Sequence, residues 1–143
     1  MQKAFTMVEL VFTIVVIGIL AVVAVPKLAP IIGSAQNGKA TATLASVRSA
    51  LSTERQKLIL QGNFNAITDL GDSTDVFKNF TPSGNPVLEY PIKSCLNTGC
   101  WEWVTGPAFK YHFSSSKTAT FELDNNRFVC ADADTSNCDE ISR

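Results

Sequence analysis

Histidine occurs once in this chain, and Trp, Tyr and Met occur twice each, while twelve Lys and Arg are nearly cancelled by thirteen Asp and Glu. A net charge of −1 leaves no basic surface of the kind a phosphate backbone requires, so nucleic acid is not an expected partner. The lone His112 has no acid or cysteine at motif spacing and reads as a packed or solvated side chain. No Ser-His-Asp arrangement, phosphate-cradling glycine loop or C-x2-C knuckle is present, so we expect a structural protein rather than an enzyme, without a resident cofactor. Cysteine is missing from the first 94 residues and then appears as Cys95, Cys100, Cys130 and Cys138. Disulfides formed in an oxidising compartment are the expectation, because the spacings suit zinc poorly. Local pairs, Cys95 with Cys100 and Cys130 with Cys138, each close a short loop, although spacing alone leaves the connectivity open.

What the sequence has in excess is apolar surface at its start, "MQKAFTMVELVFTIVVIGILAVVAVP". From Leu10 to Val25 no residue is charged, yet Glu9 stands at the edge of the run with Met7 and Val8 before it. A carboxylate in a bilayer core costs about 2.5 to 3.5 kcal/mol on insertion scales, which makes it a candidate for function. A secretory signal would take Lys3 as its basic region and be cut after Ala24, where Val22 fits a small-residue site poorly. A plain transmembrane anchor from Met7 to Val25 is long enough at about 1.5 Å per residue. Neither accounts for Glu9.

The stretch "KAFTMVEL" resembles the cleavage and methylation motif of type IV pilins and the pseudopilins of type II secretion. In that family a basic leader is removed before a phenylalanine, and the new amino terminus is N-methylated. The resemblance implies a cut between Ala4 and Phe5. Counting from Phe5, Glu9 falls where the family carries its glutamate and Pro26 where it commonly carries a helix-bending proline. Ala4 stands where glycine is usual. The implied logic is electrostatic: the freed, methylated Phe5 amine keeps its charge, and the Glu9 carboxylate lies four residues further along the helix. With an axial offset, the amine of one subunit meets the carboxylate of the next, and an unpaired partner in a low-dielectric setting costs about 3 to 5 kcal/mol.

Beyond the apolar run, Ala40, Leu44, Val47, Leu51 and Leu58 recur at helical spacing, with Thr43, Ser46, Ser49, Thr53 and Gln56 on the other side. One helix from Phe5 to about Leu60 is predicted. A bend is expected where Pro26, Pro30, Gly33 and "QNG" weaken it, the alternative being two helices with a loop near residues 33–38. Gly62 and Asn63 read as its stop. Residues 64–100 carry turn signals and little periodicity. Strands follow near Trp101–Val104, Phe109–Phe113, Thr118–Leu123 and Arg127–Ala131, with "DNN" at 124–126 as a hairpin turn. Trp101 and Trp103 fall on one side of a strand and read as core.

The fold class is therefore α+β: a long N-terminal helix, half transmembrane and half amphipathic, packed on a small antiparallel sheet. By the resemblance, residues 1–4 are the leader, 5–26 the assembly helix, 27–62 its amphipathic continuation and 63–143 a periplasmic domain. The acidic tail "CADADTSNCDE" departs from an EF-hand, having Asn137 where glycine is required. It reads first as a solvated loop closed by Cys130 and Cys138, similar to the disulfide-bounded C-terminal loop of many type IV pilins. By analogy with major pseudopilins, Asp132, Asp134 and Asp139 are calcium candidates. The partners implied are copies of this chain, other pilin-like subunits, a prepilin peptidase, an inner-membrane assembly platform and membrane lipid. The resemblance leaves open a secretion filament in the periplasm, a surface type IV pilus or a DNA-uptake pilus. A membrane-tethered periplasmic binding module is the alternative of another class.

Overall fold

A threonine starts the first helix and a glycine ends it. The computed structural model describes residues 5–132 and 135–142. Helix α1 spans Met7–Leu60, with Pro26 and Pro30 inside it. Residues 33–38 are helical, so a loop there is not the arrangement adopted. At the far end Gly62 takes a left-handed backbone (φ 75°); its N–H donates to the Ile59 carbonyl at 3.0 Å, and the Asn63 N–H donates to the Leu58 carbonyl at 2.8 Å. This pair of bonds satisfies carbonyls the last turn would leave bare, and glycine permits it because it lacks a Cβ.

The chain forms two compact units, Met1–Ala35 and Gln36–Arg143. In the second, Ala40, Leu44, Val47, Leu51 and Leu58 are all buried, as their spacing predicted. Glu54 completes the same stripe, three residues after Leu51 and four before Leu58, and is 3% exposed.

The remaining elements are short. Strands β1 (Asp75–Val76) and β2 (Ile92–Lys93) pair in the irregular segment after the helix. β3 (Cys100–Thr105), β4 (Ala108–His112), β5 (Thr118–Asp124) and β6 (Arg127–Cys130) form an antiparallel meander in that order. A short helix, α2, covers Ser136–Ser142. The β5–β6 turn holds Asn125 and Asn126 at φ 46° and 60° between the paired residues Asp124 and Arg127. Two positive φ angles define the turn that matches strand twist, and asparagine tolerates them best after glycine.

One face of the meander carries Trp101, Phe109, Tyr111, Phe121 and Phe128, which join the α1 stripe in a single core. Phe77, from the connecting segment, plugs its centre. Its ring lies 5.0 Å from that of Phe109, 5.2 Å from Trp101 and 5.6 Å from Phe128. Phe77 is fully buried with φ 57°, a conformation that costs an L-residue about 1 to 2 kcal/mol and persists here because aromatic packing holds it.

Candidate functional site

Of the residues that the pilin resemblance picks out, Ala4 lies outside the described residues, and Phe5 and Glu9 flank the start of α1. The Thr6 hydroxyl accepts from the Glu9 N–H at 3.3 Å, and the Thr6 carbonyl accepts from Leu10 N–H at 3.2 Å. Thr6 is thus the N-cap, and Glu9 the third helical residue after it. The T-x-x-E spacing of a capping box was legible beside the apolar run, and it gives Glu9 a local role that the filament reading does not require. A carboxylate in the first turn also faces the positive end of the helix dipole.

Glu9 is exposed and has no ion pair among the described residues. The large apolar side chains from Phe5 to Ile32 are exposed too, Phe5 by 76%. This part of α1 is long and apolar enough to cross a membrane. Pro26 sits within it and brings no N–H, so the Val22 carbonyl lacks its usual helical donor.

In the second unit, polar contacts fasten α1 to the sheet and to α2. The Tyr111 hydroxyl donates to the Gln36 carbonyl at 3.1 Å, and the Asn37 amide donates to Glu140 at 2.7 Å. The Lys117 ammonium also pairs with Glu140. Burial, with the Glu140 charge, pushes the Tyr111 hydroxyl above its ordinary pKa. Arg48 Nε donates to the Phe128 carbonyl at 3.1 Å, capping an outer group of edge strand β6. Burial lowers its pKa from the ordinary arginine value.

Glu54 accepts from the Asn85 amide at 2.8 Å and pairs with Lys57 at 3.5 Å. Burial pushes its carboxyl up, but hydrogen bonds from Asn85 and Ser83 and the Lys57 charge outweigh burial and hold it below the ordinary range. Asp75 pairs with Lys93 at 2.6 Å and Lys78 at 3.5 Å, and these lower its pKa, the Lys93 bond most. Asp69 is raised by burial, against the backbone donors of Leu70 and Gly71. His112 is not isolated: its Nε2 lies 2.8 Å from Glu102, a diagonal neighbour across β3 and β4.

Both local disulfides are formed, Cys95–Cys100 with Cα atoms 5.7 Å apart and Cys130–Cys138 at 6.0 Å. The tail between and beyond the second pair is not simply a solvated loop. Its last residues coil into α2, whose Cys138 and Ile141 are buried in the core. One apolar side chain a turn beyond a tethered cysteine suffices to dock so short a helix. Of the calcium candidates, Asp134 lies outside the described residues, Asp139 is exposed, and Asp132 accepts from the Thr120 N–H at 2.8 Å. Cys130, Asp132 and Cys138 bring ligand atoms within 4.8 Å of one another, but the two sulfurs are bonded together, so that group offers a metal one carboxylate.

No protein-family model, curated protein or solved structure matches this chain.

Proposed function

We propose that this chain is the pilin-like subunit of a type II secretion pseudopilus. It is held in the inner membrane by the apolar start of α1, cut before Phe5 and N-methylated by a prepilin peptidase. An assembly platform then stacks it with copies of itself and related subunits into a periplasmic filament. The observation that carries the reading is Glu9: an exposed carboxylate without an ion pair among the described residues, in the first turn of a helix whose apolar side chains are uncovered. Lipid or other helices would cover such a surface, and a cation from a neighbouring helix would offset the cost of holding a carboxylate there. In the filament that cation is the neighbouring Phe5 amine. The amphipathic second half of α1 against a small meander supports the reading, as do the two disulfides, which suit a domain outside the cytoplasm. Surface pilus and DNA-uptake subunits share this logic.

A second reading has an observation of its own. Glu9 stands in the first turn after the Thr6 N-cap, where a carboxylate is favoured by the positive end of the helix dipole without any neighbouring subunit, as in a membrane-tethered periplasmic module. Mass spectrometry of the N-terminal peptide from membranes separates the two. A chain beginning at methylated Phe5 supports the filament subunit, whereas an intact Met1 selects the tether. Replacing Ala4 with leucine should leave uncut precursor under the first reading and change nothing under the second.

A further inference from the structure

The part of α1 that packs on the sheet has a groove on each side of its buried stripe, and the two differ in charge. At about 100° per residue, Ala50 and Lys57 fall on one flank and Arg48 and Ser52 on the other. The first groove, of about 600 Å3, runs between small α1 residues such as Ser49, Ala50 and Thr53 and the segment Pro86–Glu89. Its carboxylates are Glu54, already paired with Lys57, and Glu89, which is exposed and has no ion pair among the described residues. The second groove, of about 300 Å3, is floored by Leu51, Phe128 and Val129 and carries two guanidiniums, Arg48 and Arg127. Arg127 closes the β5–β6 turn, is exposed and likewise has no ion pair among the described residues.

We infer that a second copy of this chain docks here, with the Arg127 edge of one copy entering the Glu89 groove of the next. The Arg127 flank is a poor partner for itself, because its charged side chains are the two guanidiniums Arg48 and Arg127, which would repel their counterparts in a partly desolvated seam. Opposite flanks attract, and a head-to-tail contact between two different surfaces leaves each copy with one free flank of either kind, so it propagates into a ring or an open filament rather than stopping at a pair. Small α1 residues in the first groove let the incoming edge approach the helix backbone closely. The inference rests on the filament reading and adds its lateral contact, which involves neither Phe5 nor Glu9.

The test uses the full chain in membranes. Glu89→Cys and Arg127→Cys are introduced together and oxidised, which should give a ladder of covalent oligomers on non-reducing gels. Each single cysteine should give none, and a dimer from either alone would overturn the inference in favour of a closed pair. Without new cysteines, Glu89→Arg or Arg127→Glu should lower filament yield about tenfold, since each reversal turns attraction into repulsion, and the double swap should restore it. Equal yields from all four proteins would also overturn it. N-terminal processing is scored in the same samples. Methylated Phe5 with filaments indifferent to the swap sinks this contact alone, whereas intact Met1 without filaments sinks the filament reading.

Discussion

The Glu9 N–H donates to the Thr6 hydroxyl at 3.3 Å, which places the acid that the filament reading assigns to a neighbour in the first turn, at the positive end of the helix dipole. Two substitutions separate these roles. Glu9→Gln keeps a residue suited to the third helical position of a capping box and removes only the charge. It should be inserted and cleaved normally yet fail to assemble, as should Glu9→Val, because the incoming amine finds no counter-charge. Thr6→Ala should weaken the first turn by about 1 kcal/mol while leaving assembly measurable. Electron microscopy of sheared filaments reads this out. Normal filaments from Glu9→Gln would reduce Glu9 to a capping residue.

Glu54 should make the domain acid-sensitive. Its carboxyl is held below the ordinary glutamate value of 4.5, so its contribution is fully present above that value and is lost as pH falls through the lowered one. Asp75 acts in the same direction, and Asp69, raised by burial, in the opposite one. Glu54→Gln keeps an acceptor for Asn85 and should flatten the fall in urea midpoint below about pH 4.5. Glu54→Ala should cost about 1 to 3 kcal/mol at neutral pH, since it strands the Asn85 amide. An unchanged acid slope in Glu54→Gln would assign that slope to other carboxylates.

Phe77 combines a buried ring with a left-handed backbone. Phe77→Ala should cost about 3 to 5 kcal/mol by emptying the centre of the aromatic cluster. Phe77→Gly loses the same ring but relieves the backbone, so it should be no less stable than the alanine variant, the reverse of the usual order. Thermal unfolding of the two side by side decides it.

Asn126 holds a positive φ and, through its side-chain oxygen, accepts from the Ile67 N–H at 2.8 Å. Asn126→Gly keeps the turn but leaves that amide unpaired, and should cost about 1 to 2 kcal/mol. Asn125→Gly keeps the turn without any such loss and should be neutral or mildly stabilising. Equal urea midpoints for these two variants would mean that water replaces the Asn126 acceptor.

Removing Cys130–Cys138 as a double serine variant should lower stability by about 2 to 3 kcal/mol in the chain-entropy model. Amide exchange should rise first in α2, a helix too short to persist without its tether and the Ile141 contact. Uniform acceleration across the meander would show α2 to be integral to the core.

The α1 stripe, the four meander strands and the Asp124–Arg127 turn were all legible, because side-chain periodicity and asparagine turn chemistry are local properties. So was the apolar start of the chain. Thr6 was equally legible as a cap, since threonine stands three residues before a glutamate at the edge of the apolar run. Glu54 was not readable as a core residue, since a carboxylate at that position breaks the pattern that marks the stripe. Its burial depends on Asn85, more than thirty residues away. α2 was hidden for a similar reason, as a polar heptapeptide becomes a helix only when a disulfide and one isoleucine dock it.

The sequence by itself determined what repeats over short distances: where the helix lies, which of its faces is apolar, which strands pair by tight turns, and that a lone carboxylate opens an apolar run. Tertiary structure alone decided which distant groups answer each other. It seated Phe77 in a backbone conformation that only surrounding rings can stabilise, gave Glu102 to His112, and tied Glu140 to both Asn37 and Lys117. It also put Glu89 and Arg127 on opposite flanks of one helix, because long-range packing, unlike periodicity, is set by the whole core at once.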